Sequence, residues 1–424
     1  MRWCLRRVMD ALAVPGERRL AHEPDLVLLL TLLGLVTFGM VMVFSASVGS
    51  DPGYAVRHAI WLALGALAAL ATAALDYRIW RRLAVLALLG ALGLMTLVLL
   101  PGFGDTRLGA QRWIELGPLS FQPSEMAKLA LVLYLASWLA SKGERIRRFD
   151  LGVLPFMLLL GLLGGLTMLQ PDLGTAIVLG FTGLAMFFAA GATLRHTVLL
   201  GGIALVAGTV LAFGAPYRRD RILILFSSDQ ELFDPNGLLR TLGWQIAQAR
   251  LAFGSGGWFG VGLGMGRQKF QWLPHAHNDA IFAVIGEELG VVGCLVLLLL
   301  FLILAWRGLS IARRAPDRFG GLLAVGITSW LVSQALINAG GISSVLPFTG
   351  IPLPFVSYGG SSLITSLAAA GILVNISRVT LPRPAPTSAA PRERPRHAPP
   401  AVSLSRFGRR GRRRVAPRAG GRHP

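Results

Sequence analysis

Asp279 is the strongest candidate for a catalytic acidic residue in this 424-residue sequence. It ends a polar stretch that also contains His275 and His277, and an apolar run begins directly after it. A carboxylate at such a boundary is partly desolvated, which raises its pKa toward the range useful to a general base. The two histidines are rival bases, and capping of the following helix is the alternative role for the aspartate.

Other charged residues lie within or beside apolar stretches, where they are costly and therefore functional candidates. Glu125 and Lys128 are spaced i, i+3, so they can neutralise each other on one helix face. The pair is either a structural ion pair or a contact for substrate or a partner. Asp172 follows a proline at the start of an apolar stretch, where helix capping and chemistry are both open. The remaining acids of this kind are Glu287 and Glu288.

Several basic residues could bind an anion near Asp279. Arg267 and Lys269 follow a glycine-rich run, residues 254–266, whose backbone N–H groups could cradle a phosphate or whose lack of side chains could permit close packing. The run lacks the Lys-Ser/Thr ending of a nucleotide-binding P-loop. Further basic candidates in the polar stretches are Arg112, Arg218 and Arg221.

The elements that must position these residues follow from composition. Hydrophobic residues make up 54% of the chain and charged residues only 15%, against about 25% charged in a soluble domain. Because a membrane helix needs about 20 apolar residues, we expect an all-α polytopic membrane protein of about ten transmembrane helices. The expected spans are 26–47, 58–75, 82–100, 124–141, 151–169, 173–191, 196–214, 280–306, 319–340 and 358–378.

Two loops of this arrangement carry most of the candidate chemistry. Residues 215–279 form the one long outer loop, between the seventh and eighth spans, and contain no obvious regular structure. The last outer loop, 346–362, contains three prolines and three glycines, which forbid a continuous helix. Irregular backbone at membrane depth is tolerated when it is buried in protein or lines a watery cavity.

The net charge of +20 and the pI near 11.5 first raise the question of nucleic acid. Most of the Lys and Arg residues, however, lie in the segments that share one side with the N-terminus. This distribution predicts cytoplasmic termini and no nucleic-acid partner. We expect a cytoplasmic segment 1–25, a membrane domain 26–380 and a disordered Arg/Pro-rich tail 381–424. The tail is either simply solvated or docks on anionic lipid or an acidic partner.

The cysteine and histidine content of the chain argues against a disulfide and against a metal site. The two cysteines, Cys4 and Cys294, have no partner in an oxidising loop, and no Cys/His spacing typical of a metal site exists. We therefore expect neither a disulfide nor a protein metal site.

Long motifs in a fixed order then identify a resemblance. They run through residues 30–380 and include Gln170–Ala176, Leu273–Gly290 and Leu346–Ser362. The chain resembles the SEDS (shape, elongation, division and sporulation) family of FtsW/RodA/SpoVE type. The stretch Ile281–Gly290 and the Pro-Leu-Pro-Phe sequence at 352–355 are closer to the division branch. The other matching stretches are Val43–Ser47, Gly109–Gly117, Phe121–Lys128 and Gly254–Lys269.

This resemblance implies a peptidoglycan glycosyltransferase that polymerises lipid II at the outer face of the bacterial cytoplasmic membrane, at the division septum. It implies as partners a class B penicillin-binding transpeptidase and other membrane proteins of the division machinery. Asp279 matches the family's essential acid and is expected to be the base. The expected substrate-binding candidates are Arg112, Arg218, Arg221, Arg267, Lys269 and His277. The only cofactor considered is a divalent cation accompanying the lipid pyrophosphate.

Some features of the sequence leave altered activity or another function open. The family pattern is altered at His275, Asn278 and Ala280, which suggests retained chemistry with altered tuning or partner contacts. Ten spans with intramembrane charges also describe a lipid II flippase, although no internal repeat is evident. A non-catalytic scaffold of the division machinery would need only the loops and the Arg-rich tail.

Overall fold

The structure, a computed structural model, describes residues 23–380 apart from 50, 52, 102, 108–109, 117–118, 215, 229–230 and 232–241. Most of the predicted N-terminal segment and all of the predicted tail therefore lie outside the described residues. The helices that it describes are α1 Leu26–Val48, α2 Gly53–Ala74, α3 Arg78–Leu97, α4 Pro123–Lys142, α5 Leu154–Leu169, α6 Leu173–Ala189, α7 Leu194–Phe213, α8 Pro216–Phe226, α9 Leu242–Gly256, α10 Ile281–Glu288, α11 Gly290–Arg314, α12 Arg318–Ile342 and α13 Gly360–Ser377.

The predicted fold class is confirmed, and every expected span coincides with helical structure, the eighth with two helices. Within the described residues, eight helical segments are long and apolar enough to cross a membrane. The other two expected spans fall short for physical reasons. Helix α4 carries Glu125, Lys128 and Lys142, which lower its hydropathy, and α6 has only 17 residues. The protein is a multi-pass membrane protein.

The spans alternate in direction, so their connections fall on two faces. The Asp279 face carries the ends of the spans next to residue 279, including the start of α4 and the end of α12. The opposite face carries Asp25, the α4–α5 connection and the α11–α12 turn. In the α4–α5 connection the chain forms short 3₁₀ and π turns, Gly143–Arg147 and Phe149–Val153.

Helices α12 and α13 form the centre of the bundle, and about 72% of the apolar window of each is buried by protein. Helix α12 packs against α4, α6 and α11, while α13 packs against α2. Helix α7 is the opposite case, since only 6% of its window is buried and the rest faces outward. Polar groups on α12 and α13 are consequently shielded from lipid and can build a site.

The eighth span differs from its prediction because it is divided in two. Helix α10 ends at Glu288 and α11 begins at Gly290, which has φ +68°. A Cβ at Gly290 would lie 2.4 Å from the Gly260 nitrogen, so this position needs both the left-handed backbone and the missing side chain. The break separates the short helix α10, which begins two residues after Asp279, from the longer α11.

Two helices and a small sheet were not predicted from the sequence. The long outer loop contains α8 and α9, and residues 105–121 form a small antiparallel sheet of order β1-β2-β3. Its strands are β1 Asp105–Arg107, β2 Ala110–Leu116 and β3 Leu119–Phe121. Strand β3 leads directly into α4, where Gln122 N donates to Ser361 Oγ of α13. This contact ties the sheet to the centre of the bundle.

Candidate active site

Asp279 lies on the last turn before α10 and is 8% exposed. Its carboxylate does not cap α10, because the N-cap is Ala280 and no side chain caps that helix; the capping alternative was therefore wrong. Gln245 of α9 places its Nε2 3.5 Å from Asp279 Oδ1. Asn338 of α12 donates to the Asp279 carbonyl oxygen at 2.9 Å. The main chain of Asp279 is thus fixed by a hydrogen bond, while its carboxylate has few hydrogen-bond partners.

The loop between α12 and α13 is fastened to the segment that carries Asp279. Ser357 Oγ donates to the Asn278 carbonyl at 2.7 Å, and Tyr358 N donates to the His277 carbonyl at 2.9 Å. Asn338 also donates to the Ile351 carbonyl at 2.7 Å. The loop side chains Leu353, Phe355 and Val356 are buried. The prediction of irregular backbone buried in protein is confirmed here.

The electrostatic setting of Asp279 favours a proton acceptor. Burial raises the pKa of Asp279 to about 6, and the raised value persists although His275, Arg221 and the Gln245 amide each favour the charged form. Arg221 lies close by on α8 and donates to the Phe348 carbonyl at 3.0 Å. A base of this strength is half ionised near pH 6 and largely ionised at neutral pH.

His277 is a poorer base than Asp279. Burial, with added repulsion from His275 and Arg57, lowers its pKa to about 4. Its ring stacks on Tyr54 with centroids 4.0 Å apart, and Tyr358 meets it edge-on at 5.5 Å. His277 is therefore a neutral ring that packs beside the site. His275 is exposed and occupies a left-handed conformation with φ +53°.

Glu125 and Lys128 form the predicted ion pair, at 2.7 Å and almost completely buried. Lys128 Nζ also donates to Gln334 Oε1 at 2.7 Å, and Gln334 Nε2 donates to the Pro352 carbonyl at 2.8 Å. Gln334 and Asn338 are one turn apart on α12. The pair on α4 is therefore connected to the same loop that Asn338 fastens beside Asp279.

Asp172 and Arg112 belong to a separate polar cluster on the same face. Asp172 caps α6 through the Thr175 N–H at 3.0 Å, as one of its two predicted roles required. Its second oxygen accepts from the Thr175 hydroxyl at 2.9 Å. Arg112 donates to the Gln170 and Pro171 carbonyls, which follow the end of α5. Both residues therefore form hydrogen bonds with backbone groups at helix ends, next to the sheet.

Glu287 and Glu288 hold the glycine-rich run in place. Glu287 accepts from the Arg267 and Gln268 N–H groups, while Glu288 accepts from the Gly264 N–H at 2.9 Å. Lys269 is fully buried, and its Nζ lies 2.7 Å from Glu288 Oε1. Within the run itself, a carboxylate binds the Gly264 N–H, and backbone carbonyls bind the N–H groups of Gly260, Val261, Gly262 and Met265. These groups are therefore not available to a phosphate, and the run acts in close packing. A role for Lys269 in substrate binding would require this pair to open.

The predicted basic residues therefore occupy different surroundings. Among the predicted basic residues whose side chains are described, Arg221 contributes to the electrostatic environment of Asp279. Arg267 has an exposed side chain beyond the glycine-rich run, and the side chain of Arg218 lies outside the described part. Among the described residues no group of three His, Cys, Asp or Glu side chains is placed to hold a metal ion.

Sequence reasoning missed four residues that build this site. Gln334 and Asn338 could have been found, because two amides spaced i, i+4 in an otherwise apolar span are a costly pattern. Gln245 and Ser357 gave no comparable signal. Each is a polar residue in a polar stretch, and only the tertiary fold shows what it contacts.

The fold and the site define a polytopic helical membrane protein with a buried carboxylate, next to an arginine, at one membrane face. The family model of cell cycle proteins that comprises FtsW, RodA and SpoVE matches residues 25–381. The chain belongs to this family, and the predicted resemblance is confirmed.

Relatives of known name cover most of the chain. The probable peptidoglycan glycosyltransferase FtsW of Trichlorobacter lovleyi is 44% identical over 362 residues, which make up 84% of this chain and 93% of the relative. Stage V sporulation protein E of Bacillus subtilis is 42% identical over 363 residues, which make up 84% of this chain and 97% of the relative. The similarity therefore extends over most of this chain and nearly all of each relative.

Solved structures agree with this assignment. A chain of a peptidoglycan synthase complex, described as coordinating polymerization and crosslinking, superposes with a TM-score of 0.69 at 33% identity and covers 84% of this chain and 98% of its own. The rod shape determining protein RodA of Thermus thermophilus superposes with a TM-score of 0.62 at 31% identity, with 85% and 98% covered. Both support the helical membrane fold.

Proposed function

We propose that this chain is a peptidoglycan glycosyltransferase that polymerises lipid II into glycan strands, with Asp279 as its general base. The observation that carries the assignment of the base is a buried carboxylate whose pKa burial raises to about 6, within the field of Arg221. The reaction is supported by relatives named peptidoglycan glycosyltransferase FtsW, at 42–44% identity.

In the proposed reaction the 4-hydroxyl of an acceptor GlcNAc attacks the anomeric carbon of a donor MurNAc. Asp279 accepts the hydroxyl proton, the new glycosidic bond forms, and the bond to undecaprenyl pyrophosphate breaks. A positioned base typically contributes about 10²–10⁴ in rate. The positive charge of Arg221 favours the negative charge that develops on the leaving pyrophosphate. The raised proton affinity of Asp279 makes it a stronger base than an exposed aspartate.

The Asp279→Asn variant tests this assignment, because it keeps the shape of the side chain and removes the base. We expect a folded protein that makes at least about 100-fold less glycan from lipid II when it is combined with its transpeptidase. Asp51→Asn is the matched control, since Asp51 is an exposed carboxylate that pairs with Arg57 at 2.6 Å. Near-normal polymer from Asp279→Asn, or an equal loss from Asp51→Asn, would remove Asp279 from the mechanism.

The same reconstitution separates the proposed enzyme from the two other classes. Fluorescent lipid II is placed in one leaflet of a vesicle that contains the full chain and its partner. A polymerase makes glycan strands, a flippase moves the label to the other leaflet, and a scaffold does neither. Translocation without polymer would replace the proposal.

We propose further that the chain works with a class B penicillin-binding transpeptidase at the division septum. The similarity to a chain of a peptidoglycan synthase complex that coordinates polymerization and crosslinking supports such a partner. The FtsW name of several relatives supports the septal site. Copurification of the transpeptidase with the full chain and a fluorescent fusion at midcell are the expected results. A lateral-wall distribution would indicate the elongation branch instead.

A further inference from the structure

A cavity of about 650 Å³ opens on the opposite face of the bundle, away from Asp279. It lies where α6 ends, α11 ends and α12 begins. Arg318 at this end of α12 and Asn338 beside Asp279 are 20 residues apart on one helix, which corresponds to about 30 Å. The cavity is therefore separate from the proposed active site.

The mouth of the cavity is basic. Arg313 and Arg318 both line it and both have exposed side chains. Arg318 donates one N–H to the Ala190 carbonyl at 3.3 Å, and a guanidinium carries five such donors. Among the described residues Arg313 forms no ion pair. Two arginines with free donors favour a phosphate, whose oxygens match their planar geometry.

One carboxylate also lines the cavity, but its charge is already engaged. Asp317 caps α12 by accepting from the Gly320 N–H at 2.7 Å. Its other oxygen accepts from the Tyr77 hydroxyl and lies 3.8 Å from Arg78 Nε. The arginines at the mouth therefore keep their excess positive charge.

The deeper part of the cavity is apolar and follows the membrane helices inward. Leu309 lies one turn below Arg313 on α11, and Leu322 and Val325 lie one and two turns below Arg318 on α12. These side chains are about 6–10 Å deeper in the bilayer than the arginines. Small residues leave the space open, and they are Ala189, Ala190, Ala312, Ala315 and Gly321.

We propose that this cavity binds one anionic phospholipid of the surrounding bilayer, with its phosphate at Arg313 and Arg318 and the start of an acyl chain along Leu309, Leu322 and Val325. The volume lies within the range of small-molecule sites, about 300–1,000 Å³. Basic pockets between membrane helices bind anionic headgroups through this combination of charge and apolar contact. A free phosphate would leave the apolar part unused, so the lipid is the better match.

Native mass spectrometry of the full chain in detergent tests the site, with phosphatidylglycerol as the probe and phosphatidylcholine as the neutral comparison. We expect one retained phosphatidylglycerol and no retained phosphatidylcholine. Removing both arginines in R313Q/R318Q is expected to weaken retention roughly 20- to 30-fold, since each basic residue contributes about fivefold near an anionic lipid surface. Ala189→Trp keeps both arginines and narrows the cavity with a bulky side chain, and we expect at least about fivefold weaker retention because the lipid and the indole compete for the same space.

The matched control is R81Q/R82Q, which removes the same charge from exposed residues at the start of α3 on the same face. We expect retention within about twofold of the unchanged protein. Undiminished binding by both cavity variants, an equal loss in the control, or displacement of the lipid by inorganic phosphate would each overturn the proposal. Ala189→Trp keeps the test decisive if R313Q/R318Q fails to fold.

Discussion

Asp279 is held in place mainly through its backbone, while its carboxylate is buried with little hydrogen bonding. Asn338 donates a hydrogen bond to the Asp279 carbonyl oxygen, and Gln245 Nε2 lies 3.5 Å from the carboxylate, which is a long hydrogen bond. Stronger hydrogen bonds would lower the pKa of the acid and weaken it as a base. The sparse contacts are therefore consistent with the proposed proton transfer and make its pH dependence predictable.

Activity should be lost as the pH falls through the pKa of Asp279. Because the base must be ionised, polymerisation should reach a plateau above about pH 7 and fall about tenfold for each pH unit below the pKa of about 6. The measurement is kcat/KM for lipid II between pH 4.5 and 8. A rate that stays constant between pH 5 and 7 would contradict the role of Asp279.

Gln245→Leu supplies the internal check on this pH profile. The Gln245 amide favours the charged carboxylate, so its removal raises the pKa of Asp279 further. We expect the acidic limb of the profile to move to higher pH while the plateau changes less. A residue with a merely structural role would lower the plateau and leave the limb where it was.

The ion pair of Glu125 and Lys128 is expected to show its importance when one partner is removed. Lys128→Met leaves Glu125 buried without its cation, and breaking a buried pair in this way costs about 3–5 kcal/mol of the free energy of unfolding. Replacing both residues in Glu125→Gln/Lys128→Met should recover most of that loss. Unfolding in mixed micelles with rising dodecyl sulfate measures the difference.

An exposed pair on the opposite face is the matched control for that prediction. Arg148 and Asp150 lie 2.9 Å apart, but both are more than half exposed. Arg148→Met should therefore change unfolding little, because solvent screens such a pair. Equal effects of Lys128→Met and Arg148→Met would show that burial does not set the strength of the α4 pair.

At the scale of elements, the spans could be predicted from the sequence because hydropathy and length alone define them. Helix α10 could not be separated from α11, since residues 280–306 are predicted as a single span and only the close approach of Gly290 to Gly260 shows the break. Helices α8 and α9 were missed because their stabilising partners are distant in sequence. The sequence predicted Asp279 as a site residue because it lies at the boundary of an apolar stretch. The contact of Gln245 with Asp279 is visible only in the folded structure.

Close packing of the glycine-rich run against α10 gives a prediction within a single helix. A Cβ at Gly256 would lie 1.9 Å from the Gly286 carbonyl oxygen, while one at Gly254 would meet nothing within 4 Å. Gly256→Ala should therefore destabilise the protein by about 1–3 kcal/mol and reduce polymerisation, because it displaces α10 next to Asp279. Gly254→Ala should be neutral or slightly stabilising, by up to about 1 kcal/mol. Thermal unfolding in detergent compares the two, and equal effects would refute this packing.

At the scale of the whole molecule, basic residues separate the two faces. The connections of the opposite face contain a set of arginines and lysines, namely Arg78, Arg81, Arg82, Lys142, Arg145, Arg147, Arg148, Arg195, Arg313, Arg314 and Arg318. The short connections of the face that carries Asp279 have fewer, among them Arg107 and Arg112, and most of its other basic residues lie in the long loop 215–279, which the positive-inside rule does not count. From the positive-inside rule we propose that the opposite face is cytoplasmic and that Asp279 faces outward.

Two single-cysteine probes test this orientation in cells. After Cys4→Ser and Cys294→Ala, Asp51→Cys places a thiol on the Asp279 face and Arg148→Cys places one on the opposite face, each at an exposed position. A membrane-impermeant maleimide should label Asp51→Cys in intact spheroplasts and Arg148→Cys only after the membrane is opened. Polymer growth outside the cell requires Asp279 on that side, so the reverse labelling pattern would contradict both the orientation and the proposed site of glycan synthesis.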